Sequence, residues 1–142
     1  MAKKLFQTSE NSLHLALLIL RLGFGIIFIL HGWPKITGGV ETWTGIGGAM
    51  AVVGLDFAPA FWGFMASLAE FGGGILLVFG FLTRPAAALL LITMLVAVIM
   101  HSAQGDALST ILHPLKGLVV FIALLYSGAG KYSVDKRLEK DS

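Results

Sequence analysis

Four long apolar stretches constrain the fold of this chain more than any other feature of its sequence. They run from about residue 12 to 32, 58 to 81, 85 to 102 and 112 to 130. A helix needs roughly 20 mostly apolar residues to cross a bilayer, and each stretch is near that length. Only 13% of the residues are charged, against about 25% in soluble domains. We therefore predict an all-α, four-transmembrane-helix bundle that forms a single integral membrane domain over residues 1–142.

A glycine-rich segment, residues 36–57, separates the first apolar stretch from the second. It is too polar to cross a bilayer, but Ile46, Met50 and Val53 recur at helical spacing. We expect a short helix that lies in the membrane interface, and the alternative is a lid over a cavity. Residues 131–142 are polar and predict a short cytoplasmic tail.

The basic residues lie mainly at the ends of the apolar stretches and form no single patch. This distribution excludes a nucleic-acid binder and is typical of a membrane protein in contact with the lipid bilayer. Seven of them fall on one predicted side, whereas Lys35 and Lys116 fall on the other. Because cytoplasmic loops are enriched in lysine and arginine, we expect both termini in the cytoplasm. The seven are Lys3, Lys4, Arg84, Lys131, Lys136, Arg137 and Lys140.

Two charged residues, Arg21 and Glu70, fall inside predicted spans. Ionisable residues in a membrane are expensive and usually face the interior of the bundle. Counted from the predicted helix ends, Arg21 lies roughly 12 Å and Glu70 roughly 16 Å from the cytoplasmic side. We predict an intramembrane charge pair between them, because pairing is the cheapest way to keep both groups charged. The pair would serve as a lock on helix register, as the polar floor of a substrate or quinone cavity, or as a proton station.

Three histidines gather at the opposite, outer side of the predicted bundle. His31 ends the first helix, His101 ends the third, and His113, just before Pro114, lies at the start of the fourth. Histidine suits proton transfer, metal or haem ligation, and hydrogen bonding to a quinone carbonyl. There is no His-x-x-x-His spacing and no cysteine, so we predict no metal site and rank quinone above haem. The alternative is that these residues only form polar helix ends. The candidate ligand pocket comprises His31, Lys35, Glu70, His101, His113 and Lys116.

An ordered set of short segments, none of them specific alone, resembles the DoxX family of small bacterial membrane proteins. The likeness extends from about residue 15 to 138 and differs at Ala129, where the family usually has proline. The segments are LRLG at residues 20–23, HGWPK at 31–35, EFGGGILL at 70–77, GFLTR at 80–84, MLVAVIMH at 94–101 and GAGKYSVD at 128–135.

The resemblance implies a four-helix bundle in the bacterial cytoplasmic (inner) membrane and a link to redox metabolism. Members of the family include a subunit of a thiosulfate:quinone oxidoreductase and proteins tied to quinones, catechols or oxidative stress. None of the positions that match the family's recurrent polar residues has an assigned role. These positions are Arg21, His31, Lys35, Glu70, Arg84 and His101.

Two functions from different classes remain open at this stage. The first is a quinone-linked redox protein, or a subunit of a membrane oxidoreductase complex, that works with a soluble or membrane redox partner. The second is a non-catalytic assembly subunit, or a small-molecule binder or permease. The sequence contains no cofactor motif, so an electron carrier would have to come from another chain. A homo-oligomer is compatible with both functions.

Overall fold

Six α-helices and one 3-10 helix make up residues 9–141, the part of the chain that this computed structural model describes. The described residues contain no strand, and four helices are long and apolar enough to cross a membrane. The predicted all-α fold class is therefore confirmed. The membrane-length helices are α1 (Glu10–Thr37), α3 (Pro59–Phe79), α4 (Thr83–Ala103) and α5 (Leu108–Ser127). The shorter ones are α2 (Gly39–Gly47), the 3-10 helix (Gly48–Val53) and α6 (Val134–Lys140).

Helix α1 is longer than the apolar stretch that predicts it. It begins behind Ser9, whose side chain accepts a hydrogen bond from the backbone N–H of Ser12. It then continues through Pro34 to Thr37, because a proline removes one backbone hydrogen bond without necessarily ending a membrane helix. Helix α5 ends at Ser127, because Gly128 turns the backbone to a positive φ of 72°.

Helices α1 and α3 pack closely because small residues face one another. A methyl group on Gly32 would overlap the backbone of Phe71, and one on Gly74 would press on the Gly25 carbonyl. A similar approach joins α2 to α3, where a Cβ on Gly63 would overlap the Trp43 carbonyl. Small residues on one face let membrane helices come together, and the glycines on this face of α3 serve that purpose.

The buried core of the bundle is small and apolar. Its centre is the Phe121 ring of α5, which meets the edge of the Phe28 ring of α1 at 4.9 Å between centroids. Outside this core, large apolar side chains such as Leu30 and Val119 are mostly exposed, as expected where lipid replaces water. The buried apolar cluster consists of Phe28, Leu77, Ala86, Ala87, Leu90, Met94, Phe121 and Leu124.

The two ends of the bundle differ in character. At the tail end, α1 begins, residues 80–82 turn the chain from α3 to α4, and the chain leaves α5 toward α6. At the pocket end, α1 ends, α3 begins, and residues 104–107 connect α4 to α5. The polar residues that the sequence singles out divide between these ends.

Candidate functional site

The pocket end contains a cavity of about 400 Å³ between α1, α3, α4 and α5. Its deep walls are apolar and include Phe24, Phe28 and Met94. All of the residues of the predicted ligand pocket line this one cavity. They are His31, Lys35, Glu70, His101, His113 and Lys116.

Helix periodicity explains how α1 contributes to the cavity. Phe24, Phe28, His31 and Lys35 are three or four residues apart, so they lie along one face of α1. The face changes from aromatic to polar as it approaches the pocket end. A ligand seated along it would therefore meet rings at depth and hydrogen-bond donors near the opening.

Lys35 and Glu70 form an ion pair in the wall of the cavity. Lys35 Nζ lies 2.6 Å from Glu70 Oε2, and 34% of the Lys35 side chain is exposed, against 6% of that of Glu70. The Trp43 indole N–H donates to the Lys35 carbonyl at 2.9 Å and so ties α2 to the last turn of α1. The carboxylate of Glu70 is thus held within reach of the cavity by a partner from another helix.

The predicted pair between Arg21 and Glu70 does not form. The Arg21 guanidinium instead donates to the Leu77 carbonyl at 3.1 Å and to the Tyr132 carbonyl at 2.6 Å. The reason is register. Gly25 of α1 packs beside Gly74 and Val78 of α3, which puts Arg21, one turn earlier, at the tail end of α3. The depth of each charge was counted from the end of its own helix. This count predicted the wrong partner for Arg21, because the first turns of α1 extend past the end of α3.

A short C-terminal segment locks the tail end together. The Asp135 carboxylate accepts hydrogen bonds from the backbone N–H groups of Leu82 at 2.7 Å and Thr83 at 2.9 Å. It thereby satisfies donors that the first turn of α4 leaves without partners. The Asp135 N–H in turn donates to the Gly80 carbonyl at 2.9 Å. Arg21 and the motifs at residues 80–84 and 128–135 therefore form one structural unit away from the cavity.

His101 has a carboxylate partner that was not predicted from the sequence. Its Nδ1 lies 2.7 Å from Asp106 Oδ2. A carboxylate on one ring nitrogen fixes the orientation of the imidazole and leaves the other nitrogen for a ligand. In the sequence, only the glycine at position 105 indicates the turn that makes this contact possible. In the structure, Gly105 has a positive φ of 71°, and the turn brings Asp106 back toward the end of α4.

The remaining polar residues of the cavity have no such partners. Among residues 9–141, no hydrogen bond or ion pair involves the side chains of His31, His113 or Lys116. The described residues also contain no group of three or more His, Cys, Asp or Glu that could hold a metal ion. The cavity is thus a site with free hydrogen-bonding groups around an apolar interior.

The segment between α1 and α3 does not act as a lid in this structure. None of residues 38–57, all of which are described, lines the cavity. Helix α2 lies against α3, and Trp43 and Phe64 pack edge to face with centroids 4.9 Å apart. The segment contributes to the site by holding Lys35 in place.

A second cavity, of about 380 Å³, lies at the tail end. It is lined by Phe79, Tyr132 and Arg137, among others. No residue of the predicted pocket lines it, and it provides an internal comparison for ligand-binding experiments.

Comparison with known proteins places the chain in a family. A family model described as DoxX matches residues 16–103. The chain belongs to the DoxX family. The match spans most of α1 to the end of α4 and so includes the ion pair of Lys35 and Glu70. The resemblance inferred from the short segments is confirmed.

The DoxX-family relatives include two inner membrane proteins of Escherichia coli. The chain is 35% identical to inner membrane protein YqjF over 127 residues, which is 87% of this chain and 92% of the relative. It is 34% identical to inner membrane protein YphA over 129 residues, covering 85% of this chain and 89% of the relative. It is also 32% identical over 90 residues to a Bacillus subtilis protein named "Putative oxidoreductase CatD", covering 63% and 62% of the two chains. No solved structure matches the chain.

Proposed function

We propose that this DoxX-family protein binds the head group of a lipid-soluble quinone or quinol in the cavity at its pocket end, as a subunit of a membrane oxidoreductase. The observation that supports this most directly is the pairing of Lys35 with Glu70 in the wall of a cavity whose interior is lined by Phe28 and Met94. A quinone head group needs both parts: an apolar slot for its ring and polar donors for its oxygens.

The polar residues of the cavity match the chemistry of quinone reduction. Conversion of one quinone to a quinol takes up two electrons and two protons. The Lys35 ammonium would donate a hydrogen bond to one ring oxygen. With Nδ1 of His101 donating to Asp106, the free Nε2 would accept a hydrogen bond from a quinol hydroxyl when the imidazole is neutral and donate one to a quinone oxygen when it is protonated. Glu70 and His101 are groups of the kind that hold and transfer protons. In this proposal, a reduced partner protein supplies both electrons.

The need for a partner follows from the composition of the cavity. Its lining contains no tyrosine, tryptophan or cysteine among the described residues, and the whole chain contains no cysteine. These residues can bind a ligand and exchange protons with it, but none of them is a usual electron carrier. The name of the relative CatD supports an oxidoreductase assignment.

The same observation favours a second candidate, a non-catalytic binder or permease for an amphipathic small molecule. A cavity that binds without electron carriers of its own would suit that function equally. The two candidates differ in turnover. Membranes with the intact protein should reduce added quinone faster than membranes without it only if the protein is an oxidoreductase subunit.

We also propose that both termini face the cytoplasm of a bacterial cell and that the pocket end faces outward. The distribution of basic residues supports this orientation, and the names of the E. coli relatives support the inner membrane. Reporter fusions after Ser142 and after Gly105 should report opposite sides of the membrane. The same side for both would overturn the orientation.

Binding to the purified protein tests the proposed function. We expect saturable binding of ubiquinone-1 to the wild-type protein in detergent, measured by equilibrium dialysis. The double variant Lys35→Met/Glu70→Gln removes both charges without leaving either one alone, and we expect it to weaken binding about tenfold, the effect of one lost charged hydrogen bond. Lys136→Met is the matched control, because Lys136 pairs with Glu139 outside the cavity. No saturable binding, or equal affinity in the double variant, would overturn the proposal.

A further inference from the structure

The cavity at the pocket end carries an excess of basic groups. Among residues 9–141, its lining includes two lysines and three histidines but a single carboxylate, that of Glu70. That carboxylate is already paired with Lys35 at 2.6 Å. The nearby carboxylate of Asp106 is likewise paired, with His101 at 2.7 Å. Both of these carboxylates therefore already have a basic partner within the protein.

The unpaired basic residues lie on one side of the cavity. His31 belongs to α1, and His113 and Lys116 belong to the first turns of α5. By contrast, the two internal pairs place their acceptors on α3, through Glu70, and beyond the end of α4, through Asp106. The gap between α1 and α5 is thus the basic side of the cavity.

This basic side lies next to the aromatic floor of the cavity, which Phe24 and Phe28 form at depth. The Phe121 ring of α5 meets Phe28 of α1 at 4.9 Å and Phe24 at 6.0 Å, which closes the gap between the two helices at depth. Lys116 is one residue from Gly117, which is buried where α5 approaches Met94. A flat ligand resting on this floor would direct one edge toward Lys116 and His113.

We propose that the ligand of this cavity is an acidic quinone or quinol, a ring that bears an ionised oxygen, and that Lys116 and His113 bind this anionic oxygen. The inference rests on the proposed quinone function and narrows its ligand class. A neutral ring would satisfy Lys35 and His101 but would leave the basic side without a counter-charge. An anionic oxygen on the ring supplies that charge, because a hydrogen bond from a cationic donor to an ionised oxygen is stronger than one to a neutral oxygen.

Two naphthoquinones of similar size provide the probes. 2-Hydroxy-1,4-naphthoquinone is an anion at neutral pH, whereas 2-methoxy-1,4-naphthoquinone is neutral. We expect the wild-type protein in neutral detergent to bind the hydroxy compound about tenfold more tightly, the effect of one charged hydrogen bond. Lys116→Gln and His113→Gln should each reduce this preference, and Lys116→Arg should keep it. The control Lys136→Gln, at the tail end, should bind as the wild type does.

The outcomes separate this inference from the function on which it rests. Equal binding of the two probes to the wild type, or a full preference in both glutamine variants, overturns the acidic ligand but leaves a neutral quinone site. Binding of neither probe overturns the proposed function itself. A preference that disappears when phosphatidylglycerol is added, while binding of the neutral probe persists, shows that a lipid phosphate occupies the basic side and also overturns the inference. Gel filtration of each variant checks that it is folded.

Discussion

Lys35 of α1 and Glu70 of α3 meet at 2.6 Å between Nζ and Oε2. Their ion pair lies in the wall of the cavity that His31, His101 and His113 also line. The two residues have unequal access to water, since about a third of the Lys35 side chain is exposed and almost none of that of Glu70. The pair therefore joins two membrane-length helices and presents charge to the cavity at the same time.

This asymmetry predicts unequal effects of removing each partner. Lys35→Met leaves the buried Glu70 carboxylate without a partner and should lower the free energy of unfolding by about 3 kcal/mol, the lower end of the range for a broken buried pair. Glu70→Gln leaves Lys35 able to reach water and should cost only about 1 kcal/mol. Thermal unfolding in detergent compares the two. Equal losses would contradict this description of the pair.

A double-mutant cycle distinguishes the observed pair from the one that the sequence suggested. Lys35→Met and Glu70→Gln should compensate each other, so that the double variant is more stable than Lys35→Met alone. Arg21→Met and Glu70→Gln share no partner, so their effects on the free energy of unfolding should add within about 0.5 kcal/mol. Strong coupling between Arg21 and Glu70 would show that the two helices pack in another register.

The cap that Asp135 places on α4 should stabilise the fold without affecting the ligand. Asp135→Ala removes the acceptor for the N–H groups of Leu82 and Thr83 and should cost about 1–2 kcal/mol of unfolding free energy. Asp141→Ala is the matched control, because Asp141 follows α6 and its carboxylate is exposed. Ubiquinone-1 affinity of the folded protein should be unchanged in both. A loss of affinity in Asp135→Ala alone would tie the tail end to the site.

Asp106 should act on the ligand through His101. Asp106→Asn removes the carboxylate that orients the imidazole and should weaken ubiquinone-1 binding about fivefold, the effect of one ordinary hydrogen bond. Asp56→Asn is the control, since Asp56 is exposed in the segment before α3. Equal ubiquinone-1 affinity in the two variants would show that the pair of His101 and Asp106 only stabilises the end of α4 and does not orient His101 toward the ligand.

The features that depend on helix ends could be predicted from the sequence. The apolar stretches specify four spans, and four antiparallel spans bring their ends to two faces. His31, His101 and His113 all lie within about two turns of a helix end on the same face, so their gathering follows from topology alone. The family resemblance also predicts a four-helix bundle, because the matching segments follow one another along this chain in the family's order.

The features that depend on register or on loop geometry could not be predicted. Arg21 and Glu70 have similar depths by residue count, but the contact of Gly25 with Gly74 shifts α1 along α3. No periodicity encodes that shift, since it depends on which small residues meet. Asp106 and Asp135 reach their hydrogen-bond partners only because the backbone turns near them. In the sequence alone, nothing distinguishes these two residues from ordinary surface carboxylates.

Photolabelling shows whether the cavity at the pocket end is the quinone site. An azidoquinone irradiated with the purified protein should label residues 24–35 and 94–117, and excess ubiquinone-1 should prevent the labelling. The second cavity, lined by Tyr132 and Arg137, serves as the internal control. Labelling confined to residues 131–137, or labelling that ubiquinone-1 does not reduce, would contradict the claim.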